Sequence, residues 1–103
     1  MAKNAMKLNE RDNVAMAMED LAKGTIAEVV SHDGGIARVA LLEDIPFGFK
    51  LATRDIRKGA EILKYGEVIG VASQDIKSGA LVHVHNVDGV RARGDMAHDE
   101  GTR

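Results

Sequence analysis

Apolar and polar positions along this chain alternate over short runs that glycine repeatedly interrupts. Thr25–Val30 and Ile36–Leu42 flank His32-Asp33-Gly34-Gly35, which predicts a β-hairpin with a tight turn. Ala60–Lys64 and Val68–Ala72 flank Tyr65-Gly66-Glu67, a second tight connection, and Ala80–Val87 predicts a last strand. Ile45-Pro46-Phe47-Gly48 reads as a loop, because proline and glycine both break β-ladders. Asn13–Leu21 suits a helix by composition, yet Val14, Met16 and Met18 alternate as in a strand.

An octapeptide pattern, Ala-x-x-Asp-[Leu/Ile]-x-x-Gly, recurs at residues 17–24, 52–59 and 72–79 and favours the strand for Asn13–Leu21. Its spacing of 35 and then 20 residues is too irregular for a solenoid. Asp20, Asp55 and Asp75 suit the start of single helical turns, where a carboxylate accepts backbone N–H groups. Leu21, Ile56 and Ile76 would point into the core, and Gly24, Gly59 and Gly79 would end each turn at positive φ. Strand, one helical turn, strand is the expected unit, and the whole reads as one mainly β domain.

Composition narrows the function. A 103-residue chain without cysteine has one modest core and no disulfide or thiolate site. A net charge of −2 gives no global field for nucleic acid, and Phe47, Phe49 and Tyr65 alone cannot build a base-stacking platform. No long apolar run follows the N-terminus, so neither an export signal nor a membrane span is expected, and a cytoplasmic location is the default. Exposed strand edges in so small a β domain leave homo-oligomerisation open.

Val82-His83-Val84-His85-Asn86 is the strongest chemical candidate. On a strand, Val82 and Val84 would face the core while His83 and His85 stood together on the opposite face, spaced to share one metal ion. Imidazoles suit zinc, iron, nickel or copper, but two ligands do not complete a site, and two solvated histidines are the bland alternative. Lys50 follows a Pro-x-Gly loop, where binding groups tend to sit, and heads a mildly basic stretch with Arg54, Lys58 and Lys64. No nucleophile elbow and no phosphate-cradling loop is present, so a self-sufficient active site is not expected.

Five segments in this order carry a family resemblance: Asp12-Asn13-Val14-Ala15, Asp20-Leu21-x-x-Gly24, Ile45-Pro46-Phe47-Gly48-Phe49-Lys50-Leu51-Ala52, Lys64-Tyr65-Gly66-Glu67-x-Ile69-Gly70 and His83-Val84-His85-Asn86-Val87. Over roughly residues 8–95 the chain resembles the N-terminal β-clip (SAF-type) domain of the altronate/galactarate dehydratase family. The resemblance implies a small β-clip domain, set here at residues 1–87 with the short helical turns of the motif; residues 88–103, polar and glycine-containing, read as a mobile tail or partner-binding arm, of which 90–96 resembles the ends of separate small subunits. It implies an accessory subunit of a metal-dependent hydro-lyase that acts on a sugar acid by β-elimination, beside a large catalytic subunit. A small subunit of the sulfolactate sulfo-lyase type, or a non-catalytic carbohydrate- or protein-binding module, is the alternative. The implied cofactor is a divalent metal, Fe2+ before Mn2+ or Zn2+, with His83 and His85 as its ligands and Lys50 and Asn86 as substrate contacts. One departure stands out: the family loop often reads Gly-His-Lys, and here it is Gly48-Phe49-Lys50.

Overall fold

The computed structural model describes residues 4–89, so the expected tail beyond Gly89, with its small-subunit-like stretch 90–96, lies outside the described residues. Among the described residues nine strands form: β1 (Ala5–Lys7), β2 (Val14–Ala17), β3 (Ile26–Ser31), β4 (Ile36–Ala40), β5 (Lys50–Ala52), β6 (Glu61–Lys64), β7 (Glu67–Ala72), β8 (Leu81–Val82) and β9 (Val87–Asp88). Six make one sheet in the order β4-β3-β1-β2-β5-β8, and β6-β7-β9 make a second. β1 runs parallel to β3, and the other pairs are antiparallel. The mainly β expectation therefore holds, and the fold continues across the expected 87/88 boundary into β9.

Two apolar clusters hold the sheets. The first packs Leu21, Val29, Val39, Leu41, Ile45 and Leu51 around Ala5, Ala15, Ala17 and Ala27. Small alanine side chains at these points leave room for the larger ones of the cluster. The second joins the two sheets through Val14, Ala52, Ile62 and Val82.

No helix occurs among the described residues, which corrects the expected helical turns. Each motif instead makes one isolated bridge and a tight turn, and the motifs work in pairs. Leu21 bridges Ile45, and Ile56 bridges Ile76. Ile45 belongs to a fourth copy, Leu41–Gly48, in which leucine stands where the others have alanine. The aspartates cap their partners rather than their own turns. Lys23 N–H donates to Asp44 Oδ1 (2.8 Å) and Phe47 N–H to Asp20 Oδ1 (2.9 Å). Lys58 N–H donates to Asp75 Oδ1 (2.8 Å) and Ser78 N–H to Asp55 Oδ1 (2.9 Å). A helical turn would satisfy these N–H groups locally; the bridge leaves each free for the carboxylate facing it. Gly24, Gly48, Gly59 and Gly79 all close at φ between 84° and 91°, as the motif required.

Asp12 and Asn13 couple the two sheets. Asp12, 1% exposed, accepts N–H groups from Asn9 (3.2 Å), Tyr65 (2.9 Å) and Gly66 (2.8 Å), which fixes the β6–β7 turn. Asn13 accepts the Leu63 N–H (2.8 Å) and donates to the Glu61 carbonyl (2.9 Å), across the register shift in β6 between Ile62 and Leu63. Truncating Asp12 leaves several amides without an acceptor. Asp12→Ala should cost about 3 kcal/mol, and Asp12→Asn, which keeps one carbonyl oxygen, about half that. Urea midpoints at constant m-value will show it; equal loss in both variants would mean that the oxygen asparagine retains contributes nothing.

Candidate functional site

Lys50 opens β5 with its backbone set between Met16 of β2 and Val82 of β8. Its side chain is half-buried. Burial holds the ammonium below the ordinary lysine value, and the nearby Lys64 lowers it further. Lys50, Ile69, His83, Val84, Val87 and Gly89 line an open depression of about 300 Å³. The His83 ring lies against Phe49, with centroids 4.8 Å apart and planes inclined by 50°. The residue that departs from the family loop is thus in contact with the candidate site.

His83 and His85 are not on a strand. Residues 83–86 form a turn between β8 and β9, which corrects both the Ala80–Val87 strand and the inward direction expected for Val84, now 80% exposed. Asn86 causes the break. Its Oδ1 accepts the His83 N–H (2.9 Å), its Nδ2 donates to the Leu81 carbonyl (2.9 Å), and its own N–H donates to the His83 carbonyl (3.0 Å). Such local side-chain bonds compete with a β-ladder and here replace it. Asn86 is 4% exposed with its amide engaged in the turn. His85 lines a different depression, with Leu42, Glu43, Gln74 and Asp75 among its neighbours.

The structure therefore brings Lys50 and His83 together and sets His85 apart. Among the described residues no group of three or more His, Cys, Asp or Glu side chains is placed to hold a metal ion. These residues alone do not make a metal centre.

In sequence the Lys64-Tyr65 corner reads as a tight connection within a family motif, with Lys64 in a basic stretch and no use assigned to the ring. Tyr65 occupies the first position of a two-residue hairpin loop at φ 59°, and Gly66 follows at 77°. Glycine, asparagine or aspartate usually fills that place, so a tyrosine there is an outlier that points to use of the ring. The ring is 51% exposed, and Lys64 Nζ lies 4.7 Å from its centroid. A Tyr-Gly pair between two alternating runs was the available signal.

Comparison with known proteins agrees with this architecture. Residues 3–89 match the family model described as the altronate/galactarate dehydratase SAF domain. The chain is 44% identical over 81 residues to altronate dehydratase of Escherichia coli (strain K12), an alignment covering 79% of this chain and 15% of the enzyme. It is 39% identical over 77 residues to galactarate dehydratase (L-threo-forming) of the same organism, covering 75% of this chain and 14% of that enzyme. To the (2R)-sulfolactate sulfo-lyase subunit alpha of Paracoccus pantotrophus it is 38% identical over 58 residues, covering 56% of this chain and 87% of the subunit. The chain thus spans about a sixth of the length of the dehydratases it matches, but matches most of a separate lyase subunit. On these grounds it belongs to the altronate/galactarate dehydratase SAF-domain family.

Proposed function

We propose that this chain acts as the small accessory subunit of a lyase that eliminates a leaving group from a hydroxy acid, and that Lys50 receives a carboxylate of the substrate. The observation that carries the reading is the half-buried Lys50 lining an open depression together with Ile69, Val84 and Val87. A cationic centre with an apolar rim suits a site that a second protein closes: the rim excludes water, and exclusion strengthens the charge pairing inside. The larger partner would supply the base that removes the proton beside the carboxylate. A divalent metal, iron in the family's pattern, would stabilise the charge that develops, held by the partner's groups with His83 as one contributing imidazole. The leaving group is hydroxide for a sugar acid such as altronate or galactarate. The likeness to a sulfo-lyase subunit along most of that subunit's length supports sulfite as the alternative.

Co-purification from the native source, followed by separation and remixing of the chains, tests the assignment. The large chain alone should be inactive, and adding this chain should restore elimination. Val84→Asp, at a position 80% exposed and therefore neutral for folding, should weaken that restoration at least tenfold in the concentration required. Full activity of the metal-loaded large chain by itself would refute the assignment.

A further inference from the structure

Phe49 and His83 stand one step beyond the ladder that joins β5 to β8. That ladder sets Leu51 opposite Leu81 and Lys50 opposite Val82. The same antiparallel count sets Phe49 opposite His83, and their rings meet there, with centroids 4.8 Å apart. Phe49 is itself anchored. Its carbonyl accepts the Ala17 N–H (2.8 Å), its N–H donates to the Pro46 carbonyl (3.0 Å), and it packs against the first apolar cluster. His83 is held at its main chain by Asn86, which accepts its N–H (2.9 Å) and donates to its carbonyl (3.0 Å). A buried asparagine thus restrains the backbone of His83 and an anchored phenylalanine restrains its ring, at a residue that lines the depression with Lys50. His85 provides the contrast: it is exposed and lines another depression.

A solvated imidazole turns among several rotamers, and fixing it costs conformational entropy. The cost is useful where a ring must meet a reacting group, because a small misplacement there is expensive in rate. A phenyl ring suits the task. It sets the tilt of its neighbour, here 50°, and has no lone pair with which to occupy either imidazole nitrogen. We infer that Phe49 is a positioning residue that acts through His83, holding the imidazole in one orientation at the depression. The consequence for rate rests on the lyase reading above; the restraint itself is a property of this chain alone. It also separates the two side chains of the depression by task. Lys50 anchors a carboxylate in ground state and transition state alike, whereas an oriented imidazole acts on the charge that develops, so Phe49 bears on kcat.

Two measurements test the role. In the full chain carrying isotope-labelled histidine rings, NMR relaxation should report a more ordered ring for His83 than for His85. Phe49→Leu, which keeps an apolar side chain against the cluster, should release His83 to the order of His85, and Phe49→Tyr should keep it ordered. In chains remixed with the large lyase chain, Phe49→Leu should lower kcat about tenfold with little change in KM, and Phe49→Tyr should retain it. The same change made in His83→Ala should cost nothing further, because a residue that acts through another has no effect once that other is gone. A His83 ring as free as that of His85 in the native chain overturns the inference. So does a Phe49→Leu loss that persists in full in His83→Ala, which would mark Phe49 as a packing residue while the lyase reading stands. If the large chain needs no partner, the lyase reading falls, and the ring order of His83 in the free chain still decides for or against the restraint.

Discussion

Gly79→Ala should destabilise the chain by about 4 kcal/mol, while the same change at Gly24 should cost about 1 kcal/mol. Both glycines close a motif turn in the left-handed region, at φ 91° and 87°. The backbone penalty of an L side chain is therefore common to the two. Their surroundings differ. A Cβ at Gly24 would meet nothing within 4 Å, whereas one at Gly79 would be driven into the Ala40 carbonyl and against the Leu41 backbone. Those atoms cannot swing aside like a flexible side chain, because they belong to the path between the two pairs of motifs. Leu42 N–H donates to the Gly79 carbonyl (2.9 Å), and Gly79 N–H donates to the Ala52 carbonyl (2.8 Å). An added methyl group must part the fourth motif from the third or break one of these bonds. Chemical denaturation of both variants decides it. Equal losses would mean that the approach of Ala40 to Gly79 is not tight and that φ alone sets the cost.

The same contrast shows what the amino-acid order reveals and what it withholds. Glycine at the end of each motif announces positive φ, because that requirement is local to the turn. The close approach of Ala40 is not local: it brings together positions 39 residues apart, and nothing at Gly79 records it. The aspartates repeat the lesson. Asp20 and Asp55 were legible as acceptors of backbone N–H groups, but a cap on one's own turn and a cap on a partner's turn look alike in sequence. The fourth copy escaped because Leu41 replaces the alanine of the pattern and Pro46 suggested a plain loop. Its Asp44 and Ile45 still make the same bridge and the same cap.

The candidate site was read less well than the fold, for a physical reason. Val82 to His85 alternates as a strand should, and period alone cannot detect that Asn86 binds the backbone on both sides of it. Spacing misled: His83 lies against Phe49 and lines the depression with Lys50, while His85 lines another. Lys50 was placed by its loop. The feature that makes it chemically distinct, burial beside a second lysine from another sheet, comes only with the fold. Membership of the family was legible through whole motifs, and two of these, Asp12-Asn13 and Tyr65-Gly66, prove to be the joint between the two sheets.

Replacing Lys50 by methionine should lower kcat/KM of the proposed two-chain lyase by 30- to 100-fold, which corresponds to about 2–3 kcal/mol for a charge-assisted hydrogen bond in a closed site. KM should carry most of the loss, since a carboxylate anchor holds ground state and transition state alike. The pH dependence provides a second, independent readout. Only the protonated amine attracts a carboxylate, and burial and Lys64 hold its pKa below the ordinary value of 10.5. Substrate affinity should therefore begin to fall with rising pH earlier than a solvated lysine would allow. Folding stability should move the other way. Between the lowered folded pKa and the ordinary unfolded one, the unfolded chain binds more protons, so the free chain gains stability as pH rises through that window. Lys50→Arg keeps a charge throughout the range and should flatten both profiles. Lys64→Gln removes the second cause and should move the loss of affinity toward higher pH without abolishing it. An alkaline limb of KM that is identical in the native chain and in Lys50→Arg would show that the titrating group lies elsewhere, and the carboxylate contact would have to be moved off Lys50.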